Sequence, residues 1–127
     1  GGRLALAGLA DQCLEKRVEA FTYRVCFFRH AYQDTASQKG LSLGRWMGWD
    51  LSGEQPRAHF RRGALCRSGI WRELAVSFSC GAKPKLKAVQ EKETCVYEAE
   101  ALHPGACDAA VRPEHRELPA LMPRDEL

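Results

Sequence analysis

The sequence predicts an all-β domain held together by disulfide bonds, and three observations lead to this fold class. Apolar and polar residues alternate over several short segments, which is the period-two pattern of half-buried strands. Turn-forming residues separate these segments at regular intervals, as they do in β-barrels and β-sandwiches. The chain of 127 residues also contains six cysteines, an even number without metal-binding spacing.

Three segments, 20–28, 71–80 and 95–100, show the alternation most clearly. The residues predicted to point towards the core are Phe21, Tyr23, Val25, Leu74, Val76, Phe78, Cys80, Cys95, Tyr97 and Ala99. Residues 86–90 form a shorter predicted strand. Helical patterns are weak, apart from a predicted turn within residues 4–15.

Residues 43–50 combine two tryptophans, Trp46 and Trp49, with two glycines, Gly44 and Gly48. Glycine beside bulky aromatic residues indicates a strand that bends, or that another stretch of backbone approaches closely. We therefore expect this segment to be a strand that lies tightly against a neighbour.

The six cysteines predict three disulfides rather than a metal site. They are Cys13, Cys26, Cys66, Cys80, Cys95 and Cys107. Zinc modules place ligands about two to four residues apart, whereas the closest cysteines here, Cys95 and Cys107, are 12 positions apart. Disulfides place the domain in an oxidising compartment. Spacing alone leaves their pairing open.

Charge argues against nucleic acid as a partner. The 19 basic and 16 acidic residues give a net charge of +3, and the two signs are interspersed. The only dense basic run, residues 57–67, is interpreted as a solvated edge strand or loop. No apolar stretch approaches the roughly 18 residues that a membrane-spanning helix needs, so insertion into a membrane is not expected.

The end of the chain carries a predicted localisation signal. The last four residues are Arg124, Asp125, Glu126 and Leu127. They resemble the K-D-E-L and H-D-E-L signals by which a receptor retrieves soluble proteins to the endoplasmic reticulum, with arginine keeping the positive charge of lysine. We expect the protein in the lumen of that compartment, with the retrieval receptor as a partner.

Four polar residues near the cysteines form a candidate sugar site. They are Gln33, Arg72, Glu91 and Tyr97. A hexose presents neighbouring hydroxyls that each donate and accept, and planar amide, guanidinium and carboxylate groups bind two such hydroxyls at a fixed spacing. Taken one at a time, these residue types are also typical of ordinary surface positions, so the grouping alone is a weak signal.

Several segments resemble the mannose 6-phosphate receptor homology (MRH) domain, a family of lectins. They are Tyr-Arg-Val-Cys at 23–26, Leu-Gly-Arg-Trp-Met-Gly-Trp at 43–49, Ser-Cys-Gly at 79–81 and Cys-Val-Tyr-Glu-Ala-Glu at 95–100. The resemblance covers about residues 12–108, and residues 1–11 and 109–127 are expected to be a lead-in and a flexible tail. It implies a flattened β-barrel of two antiparallel sheets, with the disulfides Cys13–Cys26, Cys66–Cys95 and Cys80–Cys107.

The resemblance also implies that the four polar residues bind mannose. Gln33 and Arg72 would contact the axial 2-hydroxyl, and Glu91 and Tyr97 the 3- and 4-hydroxyls. Because glucose lacks an axial 2-hydroxyl, it would leave buried polar groups unpaired. Trp71 is a candidate wall of the pocket, since Arg67 stands where an aromatic residue is usual in the nearest branch of the family.

Within the family, the retrieval signal, the position of the domain before it and the spacing of residues 43–49 favour a non-catalytic accessory subunit. Such a subunit would hold mannose on high-mannose N-glycans while a separate catalytic α subunit trims glucose, without a cofactor. The alternatives are a lectin of endoplasmic-reticulum-associated degradation and the γ subunit of the lysosomal-enzyme phosphotransferase.

Two other classes of protein are alternatives to a lectin. A glycosidase would need paired carboxylates on opposite sides of a substrate, whereas Glu91 and Glu93 lie two apart on one predicted strand. A purely structural disulfide module without a working pocket remains the other alternative.

Overall fold

The structure, a computed structural model, describes residues 12–107. These residues form eight strands: β1 (Cys13–Val18), β2 (Phe21–Cys26), β3 (His30–Asp34), β4 (Leu41–Asp50), β5 (Arg57–Arg61), β6 (Glu73–Cys80), β7 (Lys85–Glu93) and β8 (Val96–His103). Within this part of the chain no helix is long and apolar enough to cross a membrane. The predicted lead-in, tail and retrieval signal lie outside the described residues.

The strands form one hydrogen-bonded sheet in the order β1-β2-β3-β4-β5-β6-β8-β7. Its two edge strands, β1 and β7, contact each other, so the sheet is nearly closed into a barrel. All neighbouring strands are antiparallel except β6 and β8, which run parallel because the chain passes through the edge strand β7 between them. This architecture confirms the predicted all-β barrel.

The three predicted disulfides are confirmed. Cys13–Cys26 joins residues that face each other on β1 and β2. Cys66–Cys95 joins the loop before β6 to the turn between β7 and β8. Cys80–Cys107 joins the end of β6 to the segment after β8. Each of these bonds stabilises the fold by roughly 2–4 kcal/mol, chiefly by restricting the unfolded chain.

Aromatic side chains fill the core. Phe27, Phe60 and Phe78 are fully buried, and the ring of Phe27 lies 6.1 Å from that of Phe60 and 5.4 Å from that of Phe78, measured between centroids. The predicted inward faces of β6 and β8 are buried as expected, from Leu74 to Phe78 and from Tyr97 to Ala99. Cys80, predicted to continue the inward face, is exposed instead, because β6 ends there and its disulfide lies at the rim of the barrel.

Two sequence predictions were wrong. Residues 13–15, placed in a helical turn, belong to strand β1, where alternating exposure marks an edge strand. The basic run at 57–67 is not a solvated edge strand or loop throughout, since β5 pairs with β4 on one side and β6 on the other. In β5 the basic side chains occupy the solvent face, while Ala58 and Phe60 between them are fully buried.

The prediction of close approach at residues 43–50 is confirmed at Gly44. Its φ is +135°, and a Cβ placed there would lie 2.5 Å from the carbonyl carbon of Phe60 on the neighbouring strand. Gly48 has a similar φ of +138° but has no atom within 4 Å of such a Cβ. It follows Met47 at a bulge in the β4–β5 pairing.

Candidate functional site

The β7–β8 hairpin fixes two of the four predicted site residues. Glu91 on β7 lies directly opposite Tyr97 on β8. The backbone N–H of Cys95, in the turn between the strands, donates a hydrogen bond of 2.6 Å to Oε2 of Glu91. This bond and the strand register hold the carboxylate next to the buried phenol of Tyr97.

Gln33 is brought towards this hairpin through Tyr23. Gln33 on β3 lies opposite Tyr23 on β2, and residues paired in this way are contacting neighbours on one face of a sheet. The ring centroid of Tyr23 lies 6.3 Å from that of Tyr97. Burial, followed by the proximity of Tyr97 and Glu91, raises the pKa of Tyr23 to about 12. At neutral pH Tyr23 is therefore a protonated hydroxyl between Gln33 and the Glu91–Tyr97 pair.

Arg72 lies immediately before β6, beside the same hairpin. The next residue, Glu73, donates its backbone N–H to the carbonyl of Cys95 at 3.4 Å. Nη1 of Arg72 donates to the carbonyl oxygen of Leu65 at 3.2 Å and to that of Ala64 at 3.5 Å. Its Nε is buried and has no hydrogen-bond partner among the described residues. The guanidinium is thus oriented by the carbonyls of its own loop.

Trp71, the predicted pocket wall, lies on the surface of that loop. It forms an isolated β-bridge with Leu65 and is 59% exposed. Successive residues of an extended chain point to opposite sides, so the indole and the guanidinium of Arg72 leave the backbone in different directions. A role of Trp71 as a wall stays a prediction.

Gln33 is thus linked through Tyr23 to Glu91 and Tyr97. Arg72 precedes Glu73, whose N–H contacts Cys95 in the turn of the same hairpin. Tyr23 is the residue that sequence reasoning missed as a member of the site. Its alternation with Phe21 and Val25 indicated only that it faces inward, and the register that sets it opposite Gln33 is not visible in the sequence. Together these groups offer amide, guanidinium and phenol donors and carboxylate and amide acceptors, which suit a neutral ligand with several hydroxyls.

A separate shallow cavity of about 90 Å³ lies on the outer face of β5, β6 and β8. In its lining, the guanidinium of Arg57 lies 3.8 Å from the carboxylate of Glu98, and the imidazole of His59 lies 3.9 Å from the carboxylate of Asp50. Burial, with the nearby guanidinium of Arg61, lowers the pKa of His59, so little positive charge is added there. Of the four predicted residues only Tyr97 borders this cavity, which therefore does not coincide with the candidate sugar site.

Comparison with known proteins identifies the family of this chain. The family model for glucosidase II beta subunit-like protein matches residues 5–118. Glucosidase 2 subunit beta from Oryza sativa subsp. indica is 36% identical over 99 residues, and the same values hold for the subsp. japonica protein. The match covers 77% of this chain but only 16% of the rice protein, so the chain spans about a sixth of the length of these curated relatives.

Solved structures share the fold. The MRH domain of glucosidase II beta bound to mannose superimposes with a TM-score of 0.67 at 22% identity, covering 80% of this chain and 98% of that one. The MRH domain of Yos9 complexed with alpha3,alpha6-Man5 gives 0.68 at 18% identity, covering 86% and 85%. At these identities the structural matches show only that the fold is shared. Membership of the family is shown by the family model, which matches residues 5–118. The chain therefore belongs to the glucosidase II beta subunit-like protein family.

Proposed function

We propose that residues 12–107 form a mannose-binding lectin domain of a glucosidase II β subunit. The observation that carries the proposal is the run of hydrogen-bonding side chains from β3 to the β7–β8 hairpin. Glu91 lies opposite Tyr97, and the ring of Tyr97 lies 6.3 Å from that of Tyr23, which is paired with Gln33. An amide and a carboxylate beside phenol hydroxyls can each pair with neighbouring hydroxyls of a hexose. Arg72, whose Nη1 is oriented by the carbonyls of Ala64 and Leu65, would add a guanidinium beside this hairpin.

The proposed role of the whole protein is to assist catalysis rather than to perform it. The domain would bind mannose on high-mannose N-glycans in the lumen of the endoplasmic reticulum, while a separate catalytic α subunit removes glucose from the same glycan. The benefit would be a raised effective concentration of substrate. The rice relatives named as glucosidase 2 subunit beta support this assignment.

A catalytic role for the site is disfavoured by its carboxylates. Glycosidases place an acid and a second carboxylate on opposite sides of the scissile bond. Here Glu91 is engaged with the backbone N–H of Cys95, and Glu93 follows two residues later on the same strand. A lectin of endoplasmic-reticulum-associated degradation stays the alternative prediction, and the fold shared with the structures compared does not distinguish the two.

The domain is expected to bind mannose weakly and selectively. A monosaccharide offers few hydroxyls, and polar contacts of about 0.5–3 kcal/mol each must exceed the entropy of association. We therefore expect a dissociation constant between roughly millimolar and tens of micromolar, with no measurable binding of glucose. Calorimetry with mannose, glucose and a mannose-terminated glycan tests this. Equal binding of glucose, or release of glucose by this chain alone, would contradict the proposal.

Removal of residues 124–127 is expected to cause secretion of the protein without changing its affinity for mannose. The predicted signal is an address read by a receptor, and none of the four candidate sugar-binding residues belongs to it. Immunoblotting of medium and cells, with Glu126→Gln and Leu127→Val as graded variants, measures the effect. Equal retention of the truncated protein would show that a partner, rather than the tetrapeptide, keeps it in the compartment.

A further inference from the structure

The Cys66–Cys95 disulfide connects the two parts of the proposed sugar site. One part is the loop at residues 63–72, which ends in Arg72. The other is the β7–β8 hairpin, which carries Glu91 and Tyr97. Both cysteines are buried, at 7% and 3% exposure. The bond therefore links the segment that orients the guanidinium to the segment that orients the carboxylate.

The loop that contains Cys66 has few other attachments to the barrel. Its base is fixed to β4, because Ala64 donates its N–H to the carbonyl of Ser42 at 2.9 Å. Beyond this point Cys66 is the only buried residue among 64–71. Other hydrogen bonds of this loop are formed within the loop itself, such as the 2.8 Å bond from the N–H of Cys66 to the carbonyl of Ile70. A segment with so few buried contacts opens locally at low free energy.

The hairpin turn also depends on Cys95. The residue has a φ of 67°, a left-handed backbone conformation that is uncommon for residues other than glycine. Such a conformation persists where the surrounding structure enforces it. In that conformation its N–H reaches the carboxylate of Glu91. Besides the disulfide, a 3.4 Å hydrogen bond from the N–H of Glu73 to the carbonyl of Cys95 joins this turn to β6. The β6–β8 pairing begins beside it, at Glu73 and Val96, and does not include the loop at residues 63–72.

We propose that the Cys66–Cys95 disulfide is the positioning bond of the sugar site. It holds the Arg72 loop against the turn that orients Glu91, and opening it lowers the affinity for mannose while the barrel stays folded. The barrel does not require this bond, because the core aromatics lie in or beside continuously paired strands and the other two disulfides fasten different parts of the sheet. The inference rests on the proposed mannose-binding function.

The first test compares two double variants. In Cys66→Ala/Cys95→Ala we expect mannose affinity to fall about ten-fold, a typical size for coupling between two sites. In the matched control Cys13→Ala/Cys26→Ala, affinity is expected to stay as in the wild type. Hydrogen exchange provides a second readout, since the amides at positions 72 and 95 should exchange faster in the first variant only. Equal affinity in the two variants would overturn the proposal.

The second test uses the wild-type protein and remains informative if a variant fails to fold. Each reduced disulfide takes two electrons and two protons from a dithiol such as dithiothreitol, which closes to its own cyclic disulfide. Because coupling is reciprocal, saturating mannose should raise about ten-fold the ratio of reduced to oxidised dithiol needed to open Cys66–Cys95. Mass spectrometry of alkylated peptides should show no such protection of Cys13–Cys26.

The outcomes separate this inference from the proposed function. A wild-type domain that does not bind mannose refutes the function itself. A wild-type domain that binds mannose, but whose Cys66–Cys95 bond is reduced equally with and without the sugar, refutes only the positioning role.

Discussion

Replacing Gly44 with alanine is expected to remove a large part of the unfolding free energy of the domain. The new Cβ would lie 2.5 Å from the carbonyl carbon of Phe60 and 2.6 Å from the backbone nitrogen of Arg61. Relieving that overlap requires β4 and β5 to separate, because both contacts are backbone atoms. Overpacking costs about 1–3 kcal/mol and the positive φ about 1–3 kcal/mol more. The sum is a large part of a typical unfolding free energy of about 5–15 kcal/mol.

Gly48→Ala is the matched control for this variant. Its φ of +138° is nearly that of Gly44, but no atom lies within 4 Å of the added Cβ. It should therefore lose only the backbone contribution of about 1–3 kcal/mol. Urea unfolding followed by tryptophan fluorescence measures both changes. Equal losses in the two variants would mean that the close approach of β4 and β5 does not constrain residue 44.

Local pattern was enough to predict strands whose inward positions are large and apolar. In β6, Leu74, Val76 and Phe78 alternate with small polar or small apolar residues, and the strand was recognised. In β5 the inward residues are only Ala58 and Phe60, and the basic residues between them dominated the interpretation. β3 was missed for a similar reason, since Ala31 is its only fully buried side chain.

The path of the chain could not be predicted from such patterns. β8 lies between β6 and β7, and its parallel pairing with β6 depends on contacts between residues distant in sequence. For the same reason Tyr23 could not be predicted as part of the candidate site, because its place there follows from its register with Gln33 and its ring contact with Tyr97. The disulfide pairing was predicted through family resemblance, because cysteine spacing alone does not determine it.

Arg72 is held by hydrogen bonds from both its backbone and its guanidinium. Its backbone N–H donates to the carbonyl of Ala64 at 3.0 Å, and its Nη1 donates to the carbonyl of Leu65 at 3.2 Å. These bonds leave the planar guanidinium with a defined orientation and an unpaired Nε. Lysine offers a compact ammonium on a flexible stem and cannot reproduce such a fork. We therefore expect the proposed site to require arginine, rather than positive charge alone, at this position.

Arg72→Ala is accordingly expected to abolish measurable mannose binding while the barrel remains folded. Losing a hydrogen bond from a charged donor costs roughly 1.5–3 kcal/mol, which corresponds to about a 10- to 150-fold loss of affinity. Arg72→Lys should recover little of it, because the ammonium cannot donate to both the loop carbonyls and the sugar in the same geometry. Arg67→Ala is the control, since Arg67 is an exposed arginine of the same loop, and it should bind as the wild type does. Titration with mannose, monitored by calorimetry and by amide chemical shifts, measures affinity and fold together. Unchanged affinity in Arg72→Ala would remove Arg72 from the site, and an equal loss in Arg67→Ala would attribute the effect to net charge rather than to a positioned guanidinium.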